Sequence, residues 1–424
     1  MIEILFILIM VFSIFPVDIQ ALENNHSHEF RQLSYEDSSY TNVEMKVIPD
    51  DCHAEDQFGR AVDVFENYAI VGAYGNDDQA TDSGAAYMLY YENLEWCPIQ
   101  KLIAPDGEAF DYFGVSVSID QDMAIVGAYG DNDQGNKSGS AYVYQKNSNV
   151  WNEYTKIKSH DGKSMDYFGC SVDISGPFII VGAYGVDDYG NNSGAAYIFE
   201  KDDHGVHEQQ KLVSGDANAF DYFGYSVSIS GNYAIIGAYG VQYSGEQSGA
   251  AYIFERHGER WLQLIKLVSS DAAQNDYFGR SVSISGQYAL VGAIGKDASG
   301  KDSGAAYFFE RSGFYWSRNA KIVPQHISAN NCFGASVNIS NNYAIIGAHS
   351  DDLYGMRTGA AYVYQLNNNH WALIEMIRPT DGSDGDFFGY SVAISGNKVI
   401  AGAYGNDAKG EKSGAAYIYD LISP

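Results

Sequence analysis

The sequence predicts an all-β protein, a seven-bladed β-propeller of four-stranded antiparallel blades, on the strength of three observations. Phe-Gly pairs recur seven times at a constant spacing of 55 residues, from Phe58-Gly59 to Phe388-Gly389. Each repeat contains four short segments of strand composition, and no segment has helical periodicity. The last repeat lacks its fourth segment, and a matching segment precedes the first repeat. A period of this length is typical of repeat arrays, and four strands per repeat form a propeller blade.

The fourth repeat illustrates the four predicted strands. Residues 223–230 alternate small polar with branched apolar side chains, and residues 232–238 and 249–255 are rich in Tyr, Ile and Ala. Residues 261–267 begin with a Trp and carry a Lys five positions later. The intervening segments are rich in Gly, Asn, Asp and Ser, which tolerate positive φ or cap turns with their own side chains.

The two ends of the chain predict how the ring closes. The next Trp position after Trp371 would fall beyond Pro424, so the last blade has no outer strand of its own. Residues 41–48 align in phase with residues 96–103, with Lys46 on Lys101. The N-terminal segment is therefore expected to pair into the last blade, which removes the open sheet edges that favour aggregation.

These repeats resemble FG-GAP repeats, through the Phe-Gly at the start of the innermost strand and a Gly-Ala at the end of the next. The Gly-Ala pairs run from Gly72-Ala73 to Gly402-Ala403 at the same spacing. FG-GAP repeats build the seven-bladed head of integrin α subunits and occur in glycosylphosphatidylinositol-specific phospholipase D and many secreted proteins. The resemblance covers nearly the whole chain after the N-terminal region, and it implies the fold far more specifically than the function.

The N-terminus predicts export from the cell. Residues 4–15 form an apolar run that is too short to cross a hydrocarbon core of about 30 Å, so we interpret residues 1–21 as a signal peptide. An uncleaved anchor is the alternative, because the segment carries Glu3 and no basic residue. Residues 22–40 are polar and are predicted to be a disordered lead-in, followed by the propeller over residues 41–424. The mature chain is expected to be secreted, without insertion into a membrane.

Sequons and cysteines give weaker expectations about covalent modification. Asn25, Asn136 and Asn191 are the candidate glycosylation sites, because they lie in polar segments or loops, whereas Asn338 lies in a predicted strand. A disulfide between Cys52 and Cys97 is a candidate pairing. Cys170 and Cys332 occupy ordinary packing positions of the repeat and are expected to be buried thiols.

The charge is concentrated in predicted loops. The chain has 54 Asp and Glu against 25 Lys and Arg, a formal net charge of −29. More than half of the carboxylates lie in the loops from strand four to strand one and from strand two to strand three, which share one face of a propeller. We expect that face to be negative, to repel nucleic acid, and to attract cations or basic partners. The alternative is a solvated surface that keeps the protein soluble.

Calcium is a candidate cofactor at these loops. Integrin-type repeats hold calcium between strands one and two, but here that place is taken by tight turns such as Ser230–Tyr233, so the family's calcium sites do not carry over. On the other face, Asp residues stand in Gly- and Asn-rich loops with the oxygen ligands that calcium prefers. The candidate calcium ligands are Asp77, Asp78, Asp131, Asp133, Asp187 and Asp188. Asx-rich turns are the alternative.

The sixth repeat departs from the pattern. His326, His349 and Arg357 replace the usual Gly or acidic residue in its loops, which makes them candidate ligand-binding residues. His326, Cys332 and His349 would suit a transition metal if they approached one another. Drift of a single repeat is the simpler interpretation.

The sequence favours recognition over catalysis. It contains no GxSxG elbow, HExxH motif or P-loop, and its carboxylates are spread by repetition instead of converging. We expect a secreted recognition or adhesion module, not an enzyme, that binds an extracellular protein or glycan through the acidic loops, with possible help from calcium. The alternatives are a secreted glycan hydrolase and a structural component of a matrix or coat.

Overall fold

The computed structural model describes residues 44–313 and 315–421, and it confirms the all-β fold class. These residues form 28 strands in seven four-stranded antiparallel sheets. The predicted signal peptide (1–21), the lead-in (22–40) and the sequon at Asn25 lie outside the described residues. Within the described ranges, no helix is long and apolar enough to cross a lipid bilayer.

In every blade except the seventh, the strands follow chain order from the axis outwards. The first strands contact one another in a closed ring around the axis. They are β2 (Ala61–Phe65), β6 (Ser116–Asp120), β10 (Ser171–Ser175), β14 (Ser226–Ser230), β18 (Phe278–Ser285), β22 (Ser336–Ser340) and β26 (Ser391–Ser395). The second strands are β3 (Tyr68–Ala73), β7 (Met123–Ala128), β11 (Phe178–Ala183), β15 (Tyr233–Ala238), β19 (Tyr288–Ala293), β23 (Tyr343–Ala348) and β27 (Lys398–Ala403).

In the first six blades the third and fourth strands are eight residues long. The third strands are β4 (Ala85–Glu92), β8 (Ser140–Asn147), β12 (Ala195–Asp202), β16 (Ala250–His257), β20 (Ala305–Ser312), β24 (Ala360–Asn367) and β28 (Ala415–Asp420). The fourth strands are β5 (Glu95–Leu102), β9 (Val150–Ile157), β13 (Gly205–Leu212), β17 (Arg260–Leu267), β21 (Tyr315–Ile322), β25 (His370–Ile377) and, from the N-terminus, β1 (Glu44–Val47).

The ring closes as the repeat register predicts. Strand β1 pairs antiparallel with β28, and Lys46 lies opposite Tyr417 just as Lys101 lies opposite Tyr87 in the first blade. The seventh blade therefore consists of both ends of the propeller. The backbone N–H of Phe58 also donates to the carbonyl of Ser413 at 3.0 Å, which joins the first blade to the seventh.

Glycine sets the distance between neighbouring blades. A Cβ built on Gly72, at the end of β3, would lie 1.9 Å from the carbonyl oxygen of Gly114 in the next blade. Gly114 itself adopts φ +93°, where a side chain would be strained, and a Cβ there would lie 2.2 Å from the carbonyl oxygen of Ala85. The Gly of Gly-Ala in one blade thus packs directly against the Gly of Phe-Gly in the next blade. Phe113, beside this contact, is fully buried.

Side chains from one blade also cap the inner edge of the next. The first strand of a blade exposes backbone N–H groups towards the axis, and each needs an acceptor. Asp63 Oδ2 accepts from the N–H of Ile119 at 2.8 Å, and Asn338 Oδ1 accepts from the N–H of Ile394 at 3.0 Å. The amide of Asn338 therefore holds two blades together, which accounts for this sequon lying in a strand.

Two carboxyl groups meet next to the axis. The hydroxyl of Ser118 lies 3.0 Å from Asp63 Oδ2 and 3.0 Å from Asp173 Oδ1. One hydroxyl proton can be donated to only one of two carboxylates, so a proton shared among the three groups relieves the conflict. Burial, followed by the nearby Asp173 carboxylate, raises the pKa of Asp63 to about 7.

Replacing Gly72 with Ala is expected to destabilise the propeller by about 3 kcal/mol, because the added Cβ would meet the Gly114 carbonyl, which is backbone and cannot rotate away. Unfolding by urea measures the loss. Gly231→Ala is the matched control, because Gly231 lies in a turn at φ +55° with no atom near its built Cβ. A loss at Gly72 no larger than at Gly231 would contradict the close-contact account.

Asp63→Asn is expected to flatten the pH dependence of stability between pH 4 and pH 7. The pKa of Asp63 in the folded protein lies above its ordinary value of 3.8, so the folded state keeps a proton that the unfolded chain releases. This contribution to stability is complete below about pH 4 and is lost as the pH rises through 7. Free energies of unfolding at about pH 5 and about pH 8 check it.

Asp216→Asn provides the control of opposite sign. Burial alone would raise the pKa of Asp216, but the hydrogen bond and charge of Lys266 outweigh burial, and the net shift is downward. Its contribution is present above the ordinary pKa and is lost on acidification. Equal pH slopes for the wild type and Asp63→Asn would show that Asp63 does not carry the effect.

Candidate functional site

The loops from strand four to strand one and from strand two to strand three lie on one face of the propeller, as predicted. We call this surface the loop face; in the first blade it comprises residues 74–84 and 103–112. The two loops are joined by backbone hydrogen bonds, such as Phe110 N–H to the Thr81 carbonyl at 2.8 Å and Tyr112 N–H to the Asp82 carbonyl at 3.0 Å.

In six blades, the Asp two residues before the Phe of Phe-Gly caps the turn that enters the first strand. Asp111 Oδ2 accepts from the backbone N–H of Glu108 at 2.7 Å, and the equivalent carboxylates in five other blades make the same contact. In the sixth blade Asn331 replaces the Asp and accepts from the N–H of Ser328 at 2.7 Å. The side chain at this position therefore caps the turn in all seven blades.

The outer part of the loop face carries a repeated ion pair. A Lys near the end of the fourth strand points at an Asp of the preceding loop, and that Asp also accepts from a Tyr hydroxyl of the third strand. Lys266 Nζ lies 2.6 Å from Asp216, which accepts from Tyr252 at 2.9 Å. Lysines occupy this position in every blade except the sixth, at Lys46, Lys101, Lys156, Lys211, Lys266 and Lys321. The lysines of the fourth strands therefore neutralise part of the negative charge of the loops.

The second blade has the densest carboxylate cluster. Ligand atoms of Asp106, Asp131 and Asp133 lie within 4.8 Å of one another, the only such set of three among residues 44–313 and 315–421. Lys156 Nζ contacts all three carboxylates, at 2.8, 2.6 and 2.9 Å respectively. The ammonium group supplies the charge that a calcium ion would otherwise supply, and it would have to move before an ion could enter.

The other four calcium candidates also have structural contacts. Asp77 and Asp187 accept from the backbone N–H five residues later in their own loops, each at 2.7 Å. Asp78 pairs with Lys101, and Asp188 pairs with Lys211 at 2.5 Å. These contacts fit the Asx-turn alternative, and calcium binding by the loops stays a prediction.

The sixth blade replaces both members of the repeated ion pair. His326 stands where the other blades have the loop Asp, and Met376 stands where they have the Lys. His326 Nε2 lies 2.8 Å from the hydroxyl of Tyr362, which donates to Asp351 Oδ2 at 2.6 Å. A hydrogen-bonded chain from His326 through Tyr362 to Asp351 thus takes the place of the ion pair.

The sixth-blade histidines have different surroundings. His326 stacks on Tyr362 towards the outside of the blade, whereas His349 lies beside Tyr390 near the axis, with ring centroids 5.3 Å apart. Together with Cys332 they do not form a metal-ligand set among the described residues. The geometry therefore does not support the transition-metal alternative, because the His326 ring lies towards the outside of the blade and the His349 ring lies near the axis.

On the loop face, a ring of aromatic side chains surrounds the axis. This ring was not predicted from the sequence. Its members come from three positions of the repeat, and we call the surface they form the axial mouth. The residues before Phe-Gly are Gln57, Tyr112, Tyr167, Tyr222, Tyr277, Cys332 and Phe387. The residues after Phe-Gly are Arg60, Val115, Cys170, Tyr225, Arg280, Ala335 and Tyr390. The residues after Gly-Ala are Tyr74, Tyr129, Tyr184, Tyr239, Ile294, His349 and Tyr404.

The aromatic rings of the axial mouth contact one another from blade to blade. Tyr112 stacks on Tyr129 with centroids 5.2 Å apart, and Tyr129 meets Tyr167 edge to face at 5.9 Å. The same alternation continues to Tyr277, and it is interrupted where the fifth and sixth blades carry Ile294 and Cys332. The signal was present in the sequence, because Tyr precedes Phe-Gly in four repeats.

Large apolar side chains are also exposed on the loop face. Phe110, Met165 and Phe220 hold the same loop position in successive blades and are 48, 44 and 49 % exposed. Tyr354 and Met356 in the sixth-blade loop are 60 and 66 % exposed. Exposed apolar groups gathered on one surface are typical of a site that a partner covers.

The cysteine and sequon predictions have separate outcomes. All four cysteines are free, so the Cys52–Cys97 disulfide is wrong: Cys52 is buried with its Sγ against the Ser413 carbonyl, while Cys97 is exposed on the outer strand β5. Burial raises the pKa of the Cys170 thiol to about 12. Asn136 and Asn191 lie exposed in loops of the loop face, and their glycosylation stays a prediction.

The comparison with protein families agrees with this architecture. The FG-GAP repeat family matches the chain in seven segments, at residues 41–90, 96–144, 151–199, 206–254, 261–309, 316–364 and 371–419. The crystal structure of Saccharomyces cerevisiae Sqt1 is similar with a TM-score of 0.46 and 8 % sequence identity, over 89 % of this chain and 98 % of that one. No curated protein matches the chain.

Lys156→Met is expected to lower the free energy of unfolding by about 2–3 kcal/mol, because it leaves the buried Asp131 without its cation beside two further carboxylates. Lys266→Met is the matched control, because its partner Asp216 is half exposed and its loss should cost about 0.5 kcal/mol. Calcium should raise the melting temperature of Lys156→Met more than that of the wild type. Equal losses in the two variants would contradict a special role for Lys156.

Proposed function

Because the chain belongs to the FG-GAP repeat family, whose propeller is compatible with ligand binding or adhesion, we propose that it is a secreted recognition module that binds an extracellular protein through its loop face. The apolar segment at residues 4–15 supports export, and the sevenfold fold supports a binding surface formed by many loops. Integrin-like adhesion is the nearest analogy.

The exposed apolar side chains of the loop face carry this proposal. Phe110 and Phe220 stand in solvent at equivalent positions, although their loops are otherwise polar and well hydrogen-bonded. Aromatic side chains and Met are enriched at the centres of protein interfaces, where they supply most of the binding energy. A glycan ligand is the second candidate, since stacked tyrosines at the axial mouth also suit sugar rings.

The carboxyl groups of the structure support binding more than catalysis. The carboxyl with a strongly raised pKa near the axis, Asp63, already contacts Ser118 and the N–H of Ile119, and these contacts join blades. The loop carboxylates are used as caps or paired with lysines. We therefore propose no reaction for this protein, and we keep calcium as a proposed aid to binding and not as a requirement.

Phe110→Ala and Phe220→Ala are each expected to weaken ligand binding at least about tenfold, as truncation of a central interface aromatic does. The purified chain is applied to arrays of matrix proteins and glycans, with calcium and with a chelator, and the affinity for the captured ligand is measured. Leu262→Ala is the matched control, because Leu262 is 51 % exposed on the outer strand β17.

Three outcomes would count against the proposal. No saturable ligand in either condition would remove the recognition role. Equal losses for Phe110→Ala and Leu262→Ala would remove the loop face as the site. Capture of glycans without any protein would replace the protein ligand by a sugar.

A further inference from the structure

The axial mouth has a charge opposite to that of the protein. Its three sets of seven residues contain two arginines, Arg60 and Arg280, and no Asp or Glu, although the whole chain has a net charge of −29. The structure surrounds both arginines with aromatic rings.

Arg60 is held by three tyrosines without a carboxylate. Its guanidinium carbon lies 4.1 Å from the ring centroid of Tyr390, 5.3 Å from that of Tyr74 and 5.4 Å from that of Tyr404. Its Nε is buried and has no hydrogen-bond partner. Arg256 and Arg311, outside the mouth, also have a buried Nε without a partner, so the contact with three tyrosine rings is what distinguishes Arg60.

Arg280 repeats this arrangement in the fifth blade. Its guanidinium carbon lies 4.1 Å from the ring centroid of Tyr225 and 5.7 Å from that of Tyr239. Among the described residues the arginine that forms an ion pair with a carboxylate is Arg256, with Glu200. The planar guanidinium fork of Arg60 and that of Arg280 are thus both available for a bidentate contact with an anion.

The electrostatic surroundings of His349 include both arginines, and Arg60 also shares a ring contact with it through Tyr390. Burial, followed by the positive charges of Arg280 and Arg60 and a smaller effect of Arg357, lowers the pKa of His349 to about 4. Arg280 belongs to the fifth blade, Arg60 to the first and His349 to the sixth, so three blades direct cationic or imidazole groups at one place. Two ring contacts connect this place physically, His349 to Tyr390 and Tyr390 to Arg60.

The surrounding rim carries both signs of charge, with three cations and the two carboxylates Asp82 and Asp302. The rim consists of one equivalent loop position from each blade, next to the axial mouth on the loop face. These residues are Asp82, Lys137, Asn192, Gln247, Asp302, Arg357 and Lys412. Lys137 lies 5.9 Å from the Tyr112 centroid, and Arg357 lies 5.9 Å from the Phe387 centroid. Lys412 is paired with Glu55 at 3.3 Å, so Lys137 and Arg357 are the rim cations directed at the mouth.

We propose that the axial mouth binds a carboxylate side chain, Asp or Glu, of the protein partner, which Arg60 and Arg280 receive between the aromatic rings. This inference rests on the proposed function and names the chemistry of its central contact. The exposed Phe110, Phe220 and Met356 around the mouth favour a protein over a free sugar acid, because they require an apolar surface beside the carboxylate. The Debye length of about 8 Å at physiological salt screens the outer acidic loops from a group bound at the axis.

The test uses a fluorescein-labelled peptide of six glutamates as the probe, with peptides of six glutamines and six lysines as comparisons. Fluorescence anisotropy with the full chain should show saturable binding of the glutamate peptide, weakened by added salt. Arg60→Gln and Arg280→Gln should each reduce the affinity about tenfold or more, as expected for loss of a charge-assisted hydrogen bond. Arg311→Gln is the matched control, because Arg311 also lies over a tyrosine, 4.6 Å from Tyr233, but away from the mouth.

A second measurement reports on the geometry independently of any ligand. The pKa of His349, followed by NMR, should rise from about 4 towards its ordinary value of 6.5 in Arg280→Gln and in Arg60→Gln, and should not change in Arg311→Gln. A folded variant that leaves the pKa unchanged would show that the arginines do not face His349, and would overturn the proposed convergence.

Other outcomes separate this inference from the proposed function. Unchanged glutamate-peptide binding in Arg60→Gln and Arg280→Gln would overturn it. Binding of an oligogalacturonide but not of the peptide would assign the mouth to an acidic glycan and overturn the peptide assignment. If the peptide does not bind while an array ligand still depends on Phe110 and Phe220, the carboxylate inference fails and the recognition role stands.

Discussion

The close approach of glycine to backbone between neighbouring blades is the constraint on which the structure depends. At all seven junctions a Cβ on the Gly of Gly-Ala, from Gly72 to Gly402, would lie only 1.8 to 2.1 Å from the carbonyl oxygen of the next Phe-Gly glycine. Because the contact is backbone on backbone, no rotamer change relieves it. It fixes the spacing of the first strands, and that spacing in turn brings Asp63 and Ser118 of neighbouring blades within hydrogen-bond distance and places the axial tyrosines in contact.

Much of the fold could be predicted from the sequence, because the residues that set it are local and repeated. Phe113, Gly114 and Gly127 recur in every copy, and the alignment of Lys46 with Lys101 correctly identifies the strand that closes the ring. The site was less predictable. The loop carboxylates were found, but their lysine partners lie on a strand about one repeat away, and nothing local in Asp106 or Asp131 indicates that Lys156 stands between them. The mouth depends on contacts such as Arg60 with Tyr390, which join residues at opposite ends of the chain.

On the loop face, the sign of the charge depends on the distance from the axis. The negative net charge of the chain therefore does not describe every part of this face. Asp residues of the outer loops accept lysines of the fourth strands, as Asp216 does with Lys266, so that much of the expected negative surface is internally compensated. At the axial mouth the order reverses, and Arg60 and Arg280 stand among tyrosines without a carboxylate. The loop face therefore presents an aromatic, cationic centre, exposed apolar side chains such as Phe220 around it, and a polar rim. Protein interfaces have a similar order, with aromatic and Arg anchors inside a hydrated edge.

Hydrogen–deuterium exchange of the full chain, with and without the protein ligand captured on the array, tests the central claim most directly. If the loop face is the binding surface, exchange should slow in residues 103–112, 213–222 and 349–358, which carry Phe110, Phe220 and the sixth-blade loop. The turns on the opposite face, such as residues 230–233, should exchange as before and serve as the internal reference. Slowed exchange confined to the outer strands or to those opposite turns would contradict the account, because the ligand would then bind a surface that lacks both the aromatic mouth and its arginines.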